Sequence, residues 1–445
     1  MRLGLGTDIF ANFFLFLVTI VYIFSPIIGF FFLLCYLFFV FVLGKTLYML
    51  IPMVYLAINS ALGGTVAFQG ISHLQLLISI TLIAVLLRKP NVAGYIVKWC
   101  INNPFFLFAI TLLLICCLRT GSGLTIFFYL SILVLTIVST VAITGDMKTI
   151  FSAIIVSANQ VFLFGMVELL LQKTFFYSAW TGEERYRYGV LRVGSTVSDP
   201  NYICLTLIPI ALLCFYLFKI HREKKYSVYF VAYLFLCFLT MSRIGILGLL
   251  FTIYLIVRCY YFDRLKYGQR IFMNFVAVCV VATLLVMLLS IFFSTENSRL
   301  LSSNFTRNIT IRYGINLFTD NFWRGVGLYQ FYNYAQPLFY SQYGGRFIEN
   351  LTVMNMPLEI AIAYGVPGLI AFGLLIGNSL LKAKKFLNRT LFTNLMGMLT
   401  VFLGISLTLD GATFPLLWIL IALPFCAIET VKQEFKLKYV QYKLN

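Results

Sequence analysis

Residues 294–354 carry five arginines, Arg299, Arg307, Arg312, Arg324 and Arg346, and no lysine. A guanidinium is a planar, permanently charged fork that meets two phosphate oxygens at once, whereas an ammonium is a point charge. A long polar stretch that keeps one and omits the other reads as a place to hold an anion, a phosphate or diphosphate above all. Upstream, Arg185, Arg187 and Arg192 are interleaved with Tyr186 and Tyr188, near Trp180. Aromatic faces beside arginines suit the apolar faces of sugars; the same mixture also describes an interfacial belt. Arg243 stands alone, after Met241-Ser242, within an apolar stretch (226–262) too long for one membrane crossing. It either snorkels to an interface or faces a ligand.

Other pieces flank these arginines. Gly194-Ser195-Thr196-Val197-Ser198-Asp199-Pro200-Asn201 has the turn and capping chemistry to start the next helix. Within the long stretch, the residues around Arg312 pattern as a helix that ends at Trp323-Arg324-Gly325-Val326-Gly327. Gly325 and Gly327 permit a sharp turn and a close backbone approach to a ligand, or serve a structural turn alone. Tyr329 and four further tyrosines (332, 334, 340 and 343) add an aromatic surface compatible with carbohydrate or lipid headgroups. The next apolar segment opens Met354-Asn355-Met356-Pro357-Leu358-Glu359. Glu359 is a candidate base or a favourable charge at a helix start, and Glu349 is a second loop carboxylate.

The elements that must position these residues are membrane helices. The 445 residues are 61% hydrophobic and 11% charged, with mean hydropathy +0.95, which excludes a soluble domain of this length. Stretches such as 124–145, 271–293 and 391–409 match helices of about 20 residues crossing a hydrocarbon core about 30 Å thick. Period-two alternation is absent, which argues against an outer-membrane barrel. About fourteen helices are expected, starting near Ala11, Ile27, Leu47, Ser72, Phe105, Leu124, Thr149, Tyr202, Tyr226, Ile244, Ile271, Met356, Leu391 and Pro415. The whole chain, 1–445, reads as a single all-α transmembrane domain with about 12–14 spans and two larger loops, 173–201 and 294–354, the second containing short helices. The ten cysteines lie in or beside apolar stretches and show neither a disulfide framework nor zinc spacing. No cleavable signal peptide is visible, because the first apolar stretch runs through Ser25-Pro26 into another.

Charge gives these spans a side. The formal net charge of +18 is dispersed between apolar segments, which points to topology rather than nucleic acid. Linkers around Lys45, Arg88-Lys89, Lys98, residues 221–225, residues 264–270 and residues 382–389, with the tail from Lys432, carry the positive-inside signal. Parity then places residues 119–123, 173–201, Ser242-Arg243, 294–354 and 410–414 on the outer face. Of 16 lysines only Lys173 falls there, against ten of 17 arginines. Positive-inside bias alone would exclude both types equally, so the retained arginines point to an anionic ligand, or to lipid headgroups.

The order of these pieces resembles the O-antigen polymerase and O-antigen ligase superfamily of membrane glycosyltransferases. The resemblance runs over about 194–369: the turn 194–201 before a span, Ser242-Arg243, Arg312 followed by Gly325-Val326-Gly327, and Asn355 with Gly365 and Gly368. It implies a GT-C-like fold and transfer of a glycan from an undecaprenyl diphosphate carrier, on the outer face of the bacterial cytoplasmic (inner) membrane. The superfamily's two recurrent arginines fall on Arg243 and Arg312, which would engage the diphosphate. Arg185, Arg187, Arg192, Asn201, Arg324, Gly325, Gly327, Tyr329 and Asn355 are the accompanying substrate-binding candidates, with Glu359 and Glu349 as candidate bases.

Ligases of the superfamily present His-Asn where this chain has Met354-Asn355, and the only histidines are His73 and His221. That favours a polymerase building O-antigen, lipopolysaccharide or capsule-type polysaccharide over a ligase passing finished polymer to a lipid or protein. A transporter of lipid-linked sugars is the non-enzymatic alternative, against which no internal repeat is visible. No metal cluster or nucleotide fingerprint is seen, so no cofactor is expected. The expected partners are the undecaprenyl-diphosphate-linked oligosaccharide, membrane lipids, a chain-length regulator and a flippase, with no nucleic acid.

Overall fold

Backbone amides in hydrocarbon have no water to bond, so a chain this apolar satisfies them within helices. The computed structural model describes residues 5–68, 71–175, 186–187, 190–191, 193–197, 199–240, 242–258, 267–269, 271–272, 275, 303–343, 353–407, 409 and 411–444; at Arg187 and Arg243 it describes the backbone only. In chain order the helices are α1 (Leu5–Phe24), α2 (Pro26–Val42), α3 (Leu50–Ile58), α4 (Ser60–Gly63), α5 (His73–Arg88), α6 (Asn91–Asn102), α7 (Pro104–Thr120), α8 (Leu124–Thr144) and α9 (Met147–Leu171). Then follow α10 (Pro200–His221), α11 (Lys224–Leu239), α12 (Arg243–Ile256), α13 (Ser303–Asp320), α14 (Phe331–Tyr343), α15 (Met356–Phe386), α16 (Arg389–Ser406) and α17 (Pro415–Leu444). Two small antiparallel hairpins interrupt the helices: β1 (Val66–Phe68) with β2 (Ile71–Ser72), and β3 (Tyr186–Arg187) with β4 (Val190–Leu191).

This is an all-α, multi-pass membrane protein. Among the described residues six helices are long and apolar enough to cross a bilayer unaided: α8, α9, α10, α15, α16 and the first part of α17. Shorter apolar helices and a bent pair, α5 with α6, add to them. Phe24, Phe31, Phe38 and Phe105 are exposed at the periphery, as lipid-facing side chains are. α3, α9, α10 and α17 are buried among the others and form the centre.

Most expected starts lie within two residues of a helix start; three do not, the first being α1, which begins at Leu5 rather than near Ala11. Near Leu47 the chain forms a 3-10 turn (Thr46–Met49), then α3 and α4, rather than one continuous span. The break falls at fully buried Asn59, whose Nδ2 donates to the carbonyls of Tyr55 (2.9 Å) and Ser157 (3.2 Å). Most of the expected span from Ile271 lies outside the described residues. The sequence also hid α6, which leaves α5 at 113° beside Lys89-Pro90. Its Trp99 is buried edge-on against Phe106 and Phe425 while Lys98 is exposed, the pattern of a helix lying along the end of the bundle.

The linkers sort to two ends. At one, Gly44 lies against the Arg88 guanidinium, Gly145 against Gln433, and the Lys382 ammonium donates to Asn102 and Asn103. At the other, hydrogen bonds link Asn59 to Thr196, Asn201 to Ser242, Ser122 to Leu328 and Tyr329 to Thr413. The first is the lysine end and the second the arginine end.

Candidate functional site

At the arginine end the sequence leading into α10 is sunk into the bundle. Ser195 and Thr196 are fully buried in a 3-10 turn (Ser195–Val197) that rests on α9. Glu168, also fully buried, holds it: one carboxylate oxygen accepts the amides of Gly194 (2.9 Å) and Ser195 (2.7 Å), the other that of Phe175 (2.9 Å). Both ends of the loop 173–201 are thus tied to one carboxylate. Thr196 donates its hydroxyl to Asn59 Oδ1, which links the turn to the break in the buried α3–α4 segment. Asp199 caps α10 by accepting the Asn201 amide at 2.6 Å. Ser242 donates its hydroxyl to Asn201 Oδ1 at 2.7 Å and accepts the Gly245 amide, capping α12. One hydrogen bond therefore joins the 194–201 turn to the turn that carries Arg243.

Across the end, three segments distant in sequence form a joint. α15 is broken at Gly365, with φ 67° and ψ −162°, a conformation open to glycine alone. Into the break fits the turn after α13. Val326 and Gly327 donate amides to Ile362 and Ala363 (both 2.8 Å), and Val366 donates to Phe322 (2.9 Å). A Cβ on Gly365 would stand 2.6 Å from the Phe322 carbonyl oxygen, and one on Gly325 would collide with the Ala363 carbonyl. The close approach that Gly325 and Gly327 permit is to α15. A side chain on Gly325 would have no space, because Ala363 and Tyr364 stand against it.

The α7–α8 turn closes the joint. Arg119 Nη2 donates to the carbonyls of Trp323 (2.8 Å), Arg324 (2.6 Å) and, at the limit, Tyr364 (3.5 Å). Ser122 accepts the Leu328 amide at 2.7 Å, and the buried Tyr364 hydroxyl donates to its carbonyl at 3.3 Å.

The outer helices pack on α15 around a small apolar core of Ile309, Phe331, Ala335, Val353 and Ile362. On α13, Ile309, Thr310, Ile311 and Gly314 are buried, while Arg312, Ile315, Asn316 and Thr319 are exposed. Arg312 thus stands on the outward face of its helix, and the Arg324 side chain is exposed as well. Asn355 is the N-cap of α15: its Oδ1 accepts the Leu358 amide (2.9 Å) and its Nδ2 donates to the Leu407 carbonyl (2.7 Å). Both ends of its amide are engaged with protein: it caps α15 and ties it to the end of α16. Glu359 lies in the first turn of α15, where a carboxylate meets the positive end of the helix dipole. Arg185, Arg192 and Glu349 lie outside the described residues; Arg187 falls in β3.

Between these assemblies lies a cavity of about 500 Å³. Tyr129 of α8, Tyr202 of α10 and Tyr329 of the long loop line it. Ser60, Ser72, Gln75 and Thr413 add neutral polar groups, and no charged side chain lines it among the described residues. Tyr202 stacks on Phe414 with centroids 5.3 Å apart, and the Tyr329 hydroxyl lies 3.1 Å from that of Thr413. Tyr329 adopts φ 61°, a left-handed conformation uncommon outside glycine, and is 55% exposed. α5, α10 and α17 all begin at this cavity; the first is closed by the Ser72–Gln75 capping box and the second by the Asp199 carboxylate, which accepts the Asn201 amide. Tyr202 adjoins Asn201, which brings the Ser242-Arg243 turn to the same wall.

Of the sequence candidates, Tyr329 lines the cavity and Asn201 adjoins it. Sequence reading missed Glu168, Arg119, Tyr129 and the Ser60–Gln75 side of the wall. A glutamate at the end of an otherwise apolar α9 was the one usable signal.

A polytopic helical membrane protein with an aromatic, polar cavity at one end is the class defined by this fold and site. Residues 228–373, about a third of the chain, match the family model described as O-antigen ligase. Over that segment the chain is similar to the O-antigen ligase and polymerase superfamily. The matched segment includes Arg243, Arg312, Gly325, Gly327 and Asn355 and leaves out the 194–201 turn. No curated protein matches the chain.

Proposed function

We propose that this chain is a polysaccharide polymerase, which transfers a growing glycan from undecaprenyl diphosphate to a lipid-linked repeat unit. The observation that carries the reading is the Ser242–Asn201 hydrogen bond, which fastens the Arg243 turn beside a cavity suited to sugar. In the reaction an acceptor hydroxyl attacks the anomeric carbon of the donor, the bond from that carbon to the diphosphate oxygen breaks, and the electron pair leaves with the diphosphate. Arg243 and Arg312 would hold the charge that develops there, and fixed cations of this kind act without a metal. Glu359 is a candidate to take the acceptor proton. The lysine end would face the cytoplasm by the positive-inside rule, which puts the cavity on the outer face of the inner membrane.

Polymerase is favoured over ligase by residue 354. Ligases of the superfamily present histidine before the capping asparagine, and here Met354 takes that place. His73, the histidine at the arginine end, is buried, bonded through Nδ1 to Thr65 and stacked on Phe30 at 4.5 Å. Its surroundings are those of a core residue.

The test is the glycan that accumulates when the chain is deleted. Single repeat units on the outer leaflet support a polymerase, long polymer still on its carrier supports a ligase, and repeat units confined to the inner leaflet support a transporter. Arg243→Ala and Arg312→Ala are each expected to slow chain extension by about 10²–10³-fold, with protein level unchanged. Long-chain polymer at the normal rate in either variant would remove that arginine from the diphosphate role.

A further inference from the structure

We infer that the cavity is a subsite for an uncharged sugar of the glycan, with Tyr129, Tyr202 and Tyr329 as its recognition surface. The inference rests on the polymerase reading for its biological substrate, but the chemistry of the wall stands on its own. Three tyrosines from α8, α10 and the long loop converge on a space of about 500 Å³, a size ordinary for small-ligand sites. Phenol rings give flat apolar faces for the C–H side of a pyranose, and their hydroxyls are polar at the rim. Ser60, Ser72, Gln75 and Thr413 provide neutral hydrogen-bonding groups around them.

The backbone at Tyr329 points the same way. A left-handed tyrosine is strained, and here the strain is imposed from both sides. Leu328 is held by Ser122, Gly327 is held to α15, and the Tyr329 hydroxyl reaches Thr413 across the cavity wall. The joint thus fixes one ring of the recognition surface.

Selectivity follows from charge. A sugar carboxylate drawn into this wall would lose water without a cation to meet it among the described residues, which is costly, whereas hydroxyls exchange water for protein partners. The subsite therefore takes neutral sugars and rejects uronic or sialic acids, and the diphosphate stays outside it, toward the arginines.

The experiment uses the full-length protein in lipid nanodiscs, with saturation-transfer NMR against a panel of neutral oligosaccharides and a matched panel carrying a uronic acid. Signal from one or more neutral members is expected, at least tenfold stronger than from their acidic counterparts. Tyr129→Ala and Tyr202→Ala should each weaken it about tenfold, the scale of one lost aromatic contact. Tyr129→Phe, which keeps the packing, should retain most of it and separates lost recognition from lost fold. Acidic members binding as well as neutral ones, no member binding, displacement by a polyprenol, or full binding by Tyr129→Ala would each overturn the inference. If deletion leaves polymer length unchanged while tyrosine-dependent neutral-sugar binding persists, the polymerase reading fails and the subsite stands. If polymer is lost on deletion but binding is insensitive to Tyr129, the subsite fails and the polymerase reading stands.

Discussion

Two joints hold the loops at the arginine end, and they are built from opposite charges. Glu168 collects three backbone amides and is fully buried; Arg119 collects backbone carbonyls and is exposed. The contrast separates where a charge sits from how much it holds. A buried carboxylate with three donors cannot be removed without stranding those donors, while an exposed guanidinium is replaceable in part by water. In the second joint the firm part is the backbone: three amide–carbonyl bonds and the glycines that let the chains touch.

Substitutions at the two joints test this contrast. Glu168→Ala should cost most, about 3 kcal/mol, since it orphans two buried amides and a part-buried one. A clear fall in the thermal unfolding temperature of the detergent-solubilised protein is expected, with faster proteolysis of the 173–201 loop. An unchanged melting curve would mean that the carboxylate is not the anchor. Gly365→Ala comes next, at about 1–3 kcal/mol, because a side chain there is strained and abuts the Phe322 carbonyl. If it melts like the parent protein, the break in α15 does not depend on glycine.

Asn355→Ala should cost about 1 kcal/mol from the lost cap. Asn355→Asp, which keeps the acceptor and loses the bond to Leu407, should fall between the parent protein and Asn355→Ala; equal values for both variants would show that only the Leu407 tether matters. Arg119→Ala should be mildest, below about 1 kcal/mol, and Arg119→Lys close to neutral, since an ammonium also donates to clustered carbonyls. Arg243→Lys should by contrast lose activity clearly if its fork grips a diphosphate. Equal tolerance of lysine at both positions would erase the distinction between a structural and a ligand-binding arginine.

How far this could be read from sequence depends on the range of the physics. Helix positions follow from local apolarity and caps, so starts such as Leu124, Met356 and Pro415 lie where the pattern puts them. The lysine-bearing and arginine-bearing linkers are local features of the sequence too, and the side chains of most of the loop arginines are not among those described. The α3 break was hidden because it depends on Asn59 meeting Ser157 and Thr196, about a hundred residues or more away. Gly325 and Gly327 were legible as places of close approach, yet only packing shows that the partner is α15. Tyr129 looked like one more apolar-span residue until α8 was set against α10 and the long loop.

The joint at Gly365 also sets an order of assembly. Its first component, the turn at 119–123, leaves the ribosome some 240 residues ahead of its last, Val366. At about 5–20 residues per second, that interval is roughly 12–50 s. For most of it Arg119 and Ser122 have no long loop to receive and the wall of the cavity lacks Tyr329; Thr413 arrives later still. The joint therefore closes only after Val366 and the cavity wall only after Pro415, so chains truncated before Pro415 should insert in the membrane yet never complete the site.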